Sequence, residues 1–407
     1  MNIRTVPFAW ITLASVSTAA ARPAFVLEEN VHAAPGVPCN VYFERVFDSR
    51  VPQNYVLEAV SEVGRSYEKS WCYEPKEADA GSRHRLVLNA WDDTGLVASV
   101  TTTVVVASLP KPETKARKVT LALLAASDTN SRYQDQLRAR MREAGFAAYT
   151  PVGTHTGFSA SLVCDPSDGA PHDGFGGFTW GQFMRRYAFS LDEIDNVQAE
   201  AEREQMKLIG EDIPAGQQWR KALLKSPLVR WERGKTSVDV QGWFDRINGG
   251  KAPDYILIAL GGNEVWYQRP DAYQGNVDTE IRDAAKLLDY LRAAAPKTRI
   301  AVLSSMGGSF DQDGWAHNYG SRQHCRLATE AFLSYNCKIR ALCRKRGDGN
   351  LVYVPITQNQ DPIGAYPTGK KTGNGLHATI EGGKAAGDAI FAWLLADLNG
   401  ETKEERK

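Results

Sequence analysis

Val119-Thr-Leu-Ala-Leu-Leu-Ala-Ala-Ser-Asp-Thr-Asn-Ser-Arg-Tyr-Gln-Asp-Gln-Leu-Arg-Ala-Arg-Met141 opens the larger part of the chain. Residues up to Ala126 form an almost unbroken apolar run of strand length, as a fully buried strand requires, and Ser127 closes it. Tyr133, Leu137 and Met141 then recur at the spacing of one helix face. A buried strand giving way at once to an amphipathic helix is the opening of a β-α unit, and repeated units of that kind build a parallel sheet covered by helices on both faces. A serine at such a strand-to-helix turn projects its hydroxyl from the C-terminal edge of the sheet, where the helix N-terminus favours negative charge.

Outward from this stretch the alternation repeats. Strands are expected at Tyr255–Leu260, Arg299–Ser304 and Leu351–Pro355, with a weaker one near Ala147–Val152. Helical patterns fall at Tyr133–Glu143, Thr279–Ala294, Ala328–Arg346 and Glu381–Leu398. In open α/β sheets ligands bind beyond the C-terminal ends of the strands, so the loops there are where chemistry is sought.

Upstream the pattern changes. Asn40–Phe47, Tyr55–Val60, Arg85–Trp91 and Ala98–Val106 are β-branched or aromatic runs separated by turn signals such as Asp92-Asp-Thr-Gly95, with no long helical period between them. Residues 22–108 therefore read as a small all-β, immunoglobulin-like sandwich serving as a spacer or a glycan-contacting surface. Residues 109–118, with two prolines and high charge, read as a linker to an α/β domain over 119–400. The stretch between Trp180 and Trp231 is rich in charge and reads as a solvated helix with loops, and the tail 401–407 is charged.

At the other end of the chain, Arg4, the mostly apolar Val6–Val16 and the small residues Ala19-Ala20-Ala21 have the layout of a secretory signal cleaved before Arg22. No other stretch approaches the ~20 apolar residues that span a bilayer. A secreted, periplasmic or extracellular protein free of the membrane after cleavage is expected. The six cysteines fit an oxidising compartment, with Cys39 and Cys72 as candidates to bridge within the β region. There is no CxxC or paired Cys/His spacing for a structural zinc. The 48 basic and 48 acidic side chains balance, which argues against nucleic acid or an anionic membrane as a partner held by global charge.

Four segments carry chemistry. Ser127 is a candidate nucleophile. Pro171-His-Asp-Gly-Phe-Gly-Gly-Phe-Thr-Trp180 is a glycine-rich loop whose backbone N–H groups can bind an oxyanion. Gly261-Gly-Asn-Glu264 places the Asn263 amide at the tip of an apolar strand, and Asn374-Gly-Leu-His377 places a histidine just before a helix. In this order they resemble the four blocks of the SGNH (GDSL) hydrolases, over roughly residues 118–398, and the glycine-rich loop resembles that of carbohydrate-active members. The resemblance implies a flavodoxin-like three-layer αβα domain. It implies Ser127 as nucleophile, Ser127, Gly177 and Asn263 as oxyanion donors, and His377 as base, with no metal or cofactor. A further register, with Thr129 as the nucleophile, keeps the signature aspartate as Asp128.

Two departures stand out. The signature Gly-Asp-Ser-x-Thr is Ala125-Ala-Ser-Asp-Thr129 here, and the usual Asp-x-x-His is Asn374-x-x-His377. An amide fixes imidazole geometry but carries no charge, and a wrong tautomer costs up to about 10⁴ in turnover. Asp361 is the nearest upstream acid and a candidate to orient His377 in place of Asn374. His172, Trp180, Trp266, Trp315 and His317 are candidates to line a sugar cleft. Expected, then, is an esterase acting on an acylated, foremost acetylated, glycan or small ester. A degenerate non-catalytic glycan-binding protein and a lipase- or thioesterase-like hydrolase are the alternatives.

Overall fold

Strand β1 (Val119–Ala125) is the axis on which the molecule is built. In the computed structural model, which describes residues 23–49, 51–157, 169–185, 226–232, 235–263, 265–266, 273–320, 324–371 and 373–402, it is followed by α1 (Tyr133–Glu143), β2 (Tyr149–Val152) and a two-residue strand β3 (Asp173–Gly174). After α2 (Val240–Asn248) come β4 (Tyr255–Ala259), α3 (Tyr273–Ala294), β5 (Arg299–Leu303), α4 (Gln312–Tyr319), α5 (Cys325–Lys345), β6 (Leu351–Val354) and α6 (Ile380–Leu398). The strands pair in the order β2-β1-β4-β5-β6, all parallel, and β3 joins β1 at Leu124 and Ala125, beyond the four residues that β2 occupies.

That is the flavodoxin-like order, and it has one switch point: the chain leaves β1 toward β2 on one side and returns to β4 on the other. Period-two alternation explains the three layers. Ala122, Leu124, Ile256, Ile258, Ile300 and Val302 face α2, α3 and α5 in one core. Leu121, Leu123, Tyr255, Leu257, Ala301 and Leu303 face α1 and α6 in the other. Every expected helix and strand of this part is found, displaced by a few residues at its ends. Helix α2, helix α4 and a hairpin of Val229–Glu232 with Lys235–Val238 are additional. The charged insertion around residues 191–206, the leader 1–21 and most of the tail lie outside the described residues.

Residues 24–106 form three further sheets, a two-stranded one of 24–25 with 47–48 and two larger ones over one core. Strands 56–61, 83–92, 95–106 and 30–33 make one, and strands 39–42, 70–73 and 65–66 the other. Val31, Val41, Trp71, Leu86, Leu88 and Val104 fill the space between. The expected strand Asn40–Phe47 is interrupted by a helical turn at Phe43–Val46. Phe43 and Val46 point into this core, while Arg45 points the other way, onto the α/β part. Cys39 and Cys72 are free thiols, contrary to the expected bridge. Cys39 pairs with Tyr73 and Cys72 with Asn40, so the two side chains emerge on opposite faces of their sheet. The β region is also docked rather than tethered: Ala34, Val37 and Ala107 belong to the same core as β1 and α6.

Candidate active site

Ser127 begins a short 3-10 turn, Ser127–Ser131, at the C-terminal end of β1. His377 follows β6 and lies three residues before α6, whose N-cap is Thr379. The two meet at the switch point, with His377 Nε2 2.9 Å from Ser127 Oγ, both half-buried. Glycines in α6 make this possible. A Cβ on Gly383 would sit 1.8 Å from the Ser131 carbonyl oxygen, and one on Gly387 would sit 2.6 Å from that of Tyr133. Backbone therefore lies on backbone where α6 presses against the serine turn.

Thr129 faces away. It is fully buried and its Oγ1 donates to the Ala126 carbonyl at 3.0 Å. Its side chain packs against the glycine-rich loop, where a Cβ on Gly174 would lie 2.6 Å from Thr129 Oγ1. The loop is held beside the serine by Phe175 N–H donating to Ala125 O at 3.0 Å. Phe178 N–H then closes a turn onto Phe175 O, with Gly177 at φ +84°, the conformation that turn demands of its third residue.

Asn263 is tied to the same loop. Its Nδ2 donates to the Phe178 carbonyl at 2.8 Å, which orients the amide and leaves its second N–H for another acceptor. Gly261, at φ +96°, lets the strand tip pass under Tyr335, whose hydroxyl donates to Leu260 O and accepts from Trp180 Nε1. Ser127, Asn263 and His377 line one small cavity of about 40 Å³, with Gly262, Ser305, Met306, Phe332 and Leu376 among its walls. It has room for a group of a few heavy atoms. Larger hollows exist, such as one of about 470 Å³ at Pro253, Thr298 and Arg299. That one lies at the N-terminal ends of β4 and β5, the edge opposite the site.

Beside His377 lies Asn374. Its Oδ1 accepts the backbone N–H groups of Leu376 and His377, both at 3.0 Å, so its Nδ2 faces His377 Nδ1 at 3.4 Å. An amide N–H directed at Nδ1 favours the tautomer with its proton on Nε2. Asp361 is used elsewhere: its Oδ1 accepts from Ile363 and Gly364 N–H, both at 2.8 Å, closing its own turn.

Of the residues expected to line a cleft, His172, Trp180 and Trp315 are fully buried. His172 accepts Gly174 N–H on Nδ1 and donates from Nε2 to Gly157 O, and burial lowers its pKa to about 4. Trp315 donates to Ser309 O and supports Gly375 from below. Trp266, against Trp315 and Tyr319, is half-buried, and His317 is exposed with Nδ1 3.0 Å from Lys370 O.

Asp128 was legible only as part of the alternative register, yet it lines the cavity. Its carboxylate accepts from Ala126 N–H and the Tyr133 hydroxyl, and burial pushes its pKa up to about 7. Ser305 and Met306 also line the cavity, just past the end of β5. The rule that sites gather at strand C-termini is the signal that points to them.

No protein-family model matches the chain, and no curated protein matches it. Similar solved structures do exist. A carbohydrate esterase family 3 protein from Talaromyces cellulolyticus is 14% identical over 69% of this chain and 99% of that chain, with a TM-score of 0.41. An acetyl esterase mutant with acetate ion is 14% identical over 69% and 99%, with a TM-score of 0.40. A carbohydrate acetylesterase family member from Sinorhizobium meliloti is 12% identical over 69% and 99%, with a TM-score of 0.38. At these identities and scores, what each residue does rests on the geometry of the site itself.

Proposed function

We propose that the protein is an SGNH-type serine esterase removing small acyl groups, foremost acetyl, from a carbohydrate. It acts outside the cytoplasm after loss of residues 1–21. The observation that carries this reading is the 2.9 Å contact between Ser127 Oγ and His377 Nε2 at the switch point of a flavodoxin-like sheet. The two larger sheets of residues 24–106, packed over one core, support an immunoglobulin-like module as the accompanying domain.

In the reaction, Ser127 Oγ attacks the acyl carbon as its proton passes to His377 Nε2. The tetrahedral oxyanion receives hydrogen bonds from the backbone N–H groups of Ser127 and Gly177 and the second N–H of Asn263. His377 gives its proton to the departing sugar oxygen. Water then attacks the acyl-enzyme with the same histidine as base, and the acid leaves. The chemistry asks for no metal or cofactor. The small volume beside Ser127 suits an acetyl group better than a long acyl chain.

The Asn374 amide favours a second reading, a glycan-binding protein without turnover, because a proton on Nε2 would be donated to Ser127 instead of taken from it. Hydrolysis of 4-nitrophenyl acetate and butyrate by protein lacking residues 1–21 separates the two. Acetate is expected to turn over faster than butyrate, and Ser127→Ala and His377→Ala are each expected to lose about 10³-fold or more in kcat. A folded parent inactive on these esters and on acetylated polysaccharides would leave the binding reading.

A further inference from the structure

Arg45 comes from the helical turn that interrupts the β region and is 6% exposed. Its guanidinium lies 5.2 Å from the centre of the Phe310 ring and 5.4 Å from that of Tyr366. Its Nε donates to the Gln360 carbonyl at 3.4 Å, and its two terminal nitrogens make no hydrogen bond among the described residues. With no carboxylate paired to it among the described residues, a buried cation here is unfavourable, and an apolar side chain of that size would pack at less cost. Two aromatic faces offset part of that cost. Docking alone would not select this residue.

What Arg45 touches leads to the catalytic histidine. Phe310 N–H donates to Pro362 O at 2.8 Å, which ties its loop to the one carrying Tyr366. Ser309 N–H donates to Gly375 O at 2.7 Å, two residues before His377. Gln360, whose carbonyl Arg45 holds, donates from Nε2 to Gly382 O at 2.9 Å in the first turn of α6. A Cβ on Gly307 would lie 2.8 Å from Arg45 Nη1, so the loop after β5 is shaped around the guanidinium. Arg326, paired with Glu44 at 3.4 Å, covers the Phe310 ring at 4.8 Å.

We infer that Arg45 is a positioning residue for His377: the β region inserts it to hold the 306–310 and 360–366 loops, and through them the histidine loop. The inference rests on the proposed esterase reading for its kinetic consequence, whereas its structural consequence is measured without turnover. Arg45→Met keeps the stem and removes the charge. Hydrogen exchange of the Ser309 and Phe310 amides in Arg45→Met is expected to quicken about tenfold or more. Under the esterase reading, kcat for 4-nitrophenyl acetate is expected to fall about tenfold or more with KM within about twofold, and Arg45→Lys is expected to recover part of the loss. Arg344→Gln, which removes a 2.8 Å pair with Glu28 at the same interface but away from the site, is expected to change neither.

Exchange at Ser309 and Phe310 that is unchanged in folded Arg45→Met overturns the inference, as does an equal change in Arg344→Gln. Should Arg45→Met not fold, Arg45→Lys and Phe310→Leu take its place, and unchanged exchange in both overturns it equally. An inactive parent would sink the esterase reading and leave the exchange test standing.

Discussion

Under the proposed esterase reading, Asn374 is the residue most open to test. Its Oδ1 is committed to two backbone N–H groups, so nothing but its Nδ2 can face the imidazole. An aspartate would keep those two bonds and offer its other oxygen to a proton on Nδ1, leaving Nε2 free to accept from Ser127. Asn374→Asp is therefore expected to raise kcat for 4-nitrophenyl acetate by about tenfold or more. An unchanged kcat would mean that another group already sets the tautomer. Asp128 gives a second prediction. Burial raises its pKa from 3.8 to about 7, so between those values the native state keeps a proton that the unfolded chain has released. Stability from this group is then complete below about pH 4 and is lost as pH rises toward 7. Chemical denaturation of Asp128→Asn beside the parent is expected to show the variant gaining on the parent across that range. A difference flat with pH would mean that the carboxyl ionises normally.

Among elements, α6 decides the distance between serine and histidine. Gly382 and Gly383 allow its first turn to lie on the Ala365 and Ser131 carbonyl oxygens, and Gln360 and Asn359 side chains fasten Gly382 O and Ala385 O. A methyl group at position 383 has no space, and the helix must retreat. Gly383→Ala is expected to cost about 1–3 kcal/mol of stability and to lower kcat by about tenfold or more. Denaturant midpoint and turnover measured together check it, and wild-type turnover would show that the Ser127–His377 contact does not depend on this packing. The elements themselves were legible because apolar runs and helical periods in this part are long. The helical turn at Phe43–Val46 was not, because its residues favour a strand and only docking against the α/β part rewards a turn.

Across the whole molecule the β region and the α/β part share one apolar core. Ala34, Val37 and Ala107 share a core with Val119, Phe391 and Leu395, and the interface adds Asn40 N–H to Asn359 Oδ1 at 2.6 Å and Asn399 Nδ2 to Ser108 O at 2.7 Å. A protein beginning at residue 109 would expose that apolar face. It is expected to melt at a lower temperature than the full chain or to aggregate. An unchanged melting temperature, in a soluble monomer, would mean that the β region contributes nothing to the stability of its neighbour.

Apolar runs and turn chemistry by themselves determined the parallel sheet, its flanking helices and most of the strands upstream of them, because burial on both faces of a strand or one face of a helix writes a period into the chain. Ser127, Asn263 and His377 were marked by the order of four segments that resembles the SGNH hydrolases, since each residue alone has a plain use as a cap or a surface group. Only the tertiary structure decided that Ser127 rather than Thr129 faces the histidine, that Asn374 spends its oxygen on backbone, and that Trp180 and Trp315 are buried. These depend on which way a side chain points once distant segments pack, and neither periodicity nor spacing encodes that direction. The same holds for Arg45, whose partners lie more than two hundred residues away and exist as a set only in the folded molecule.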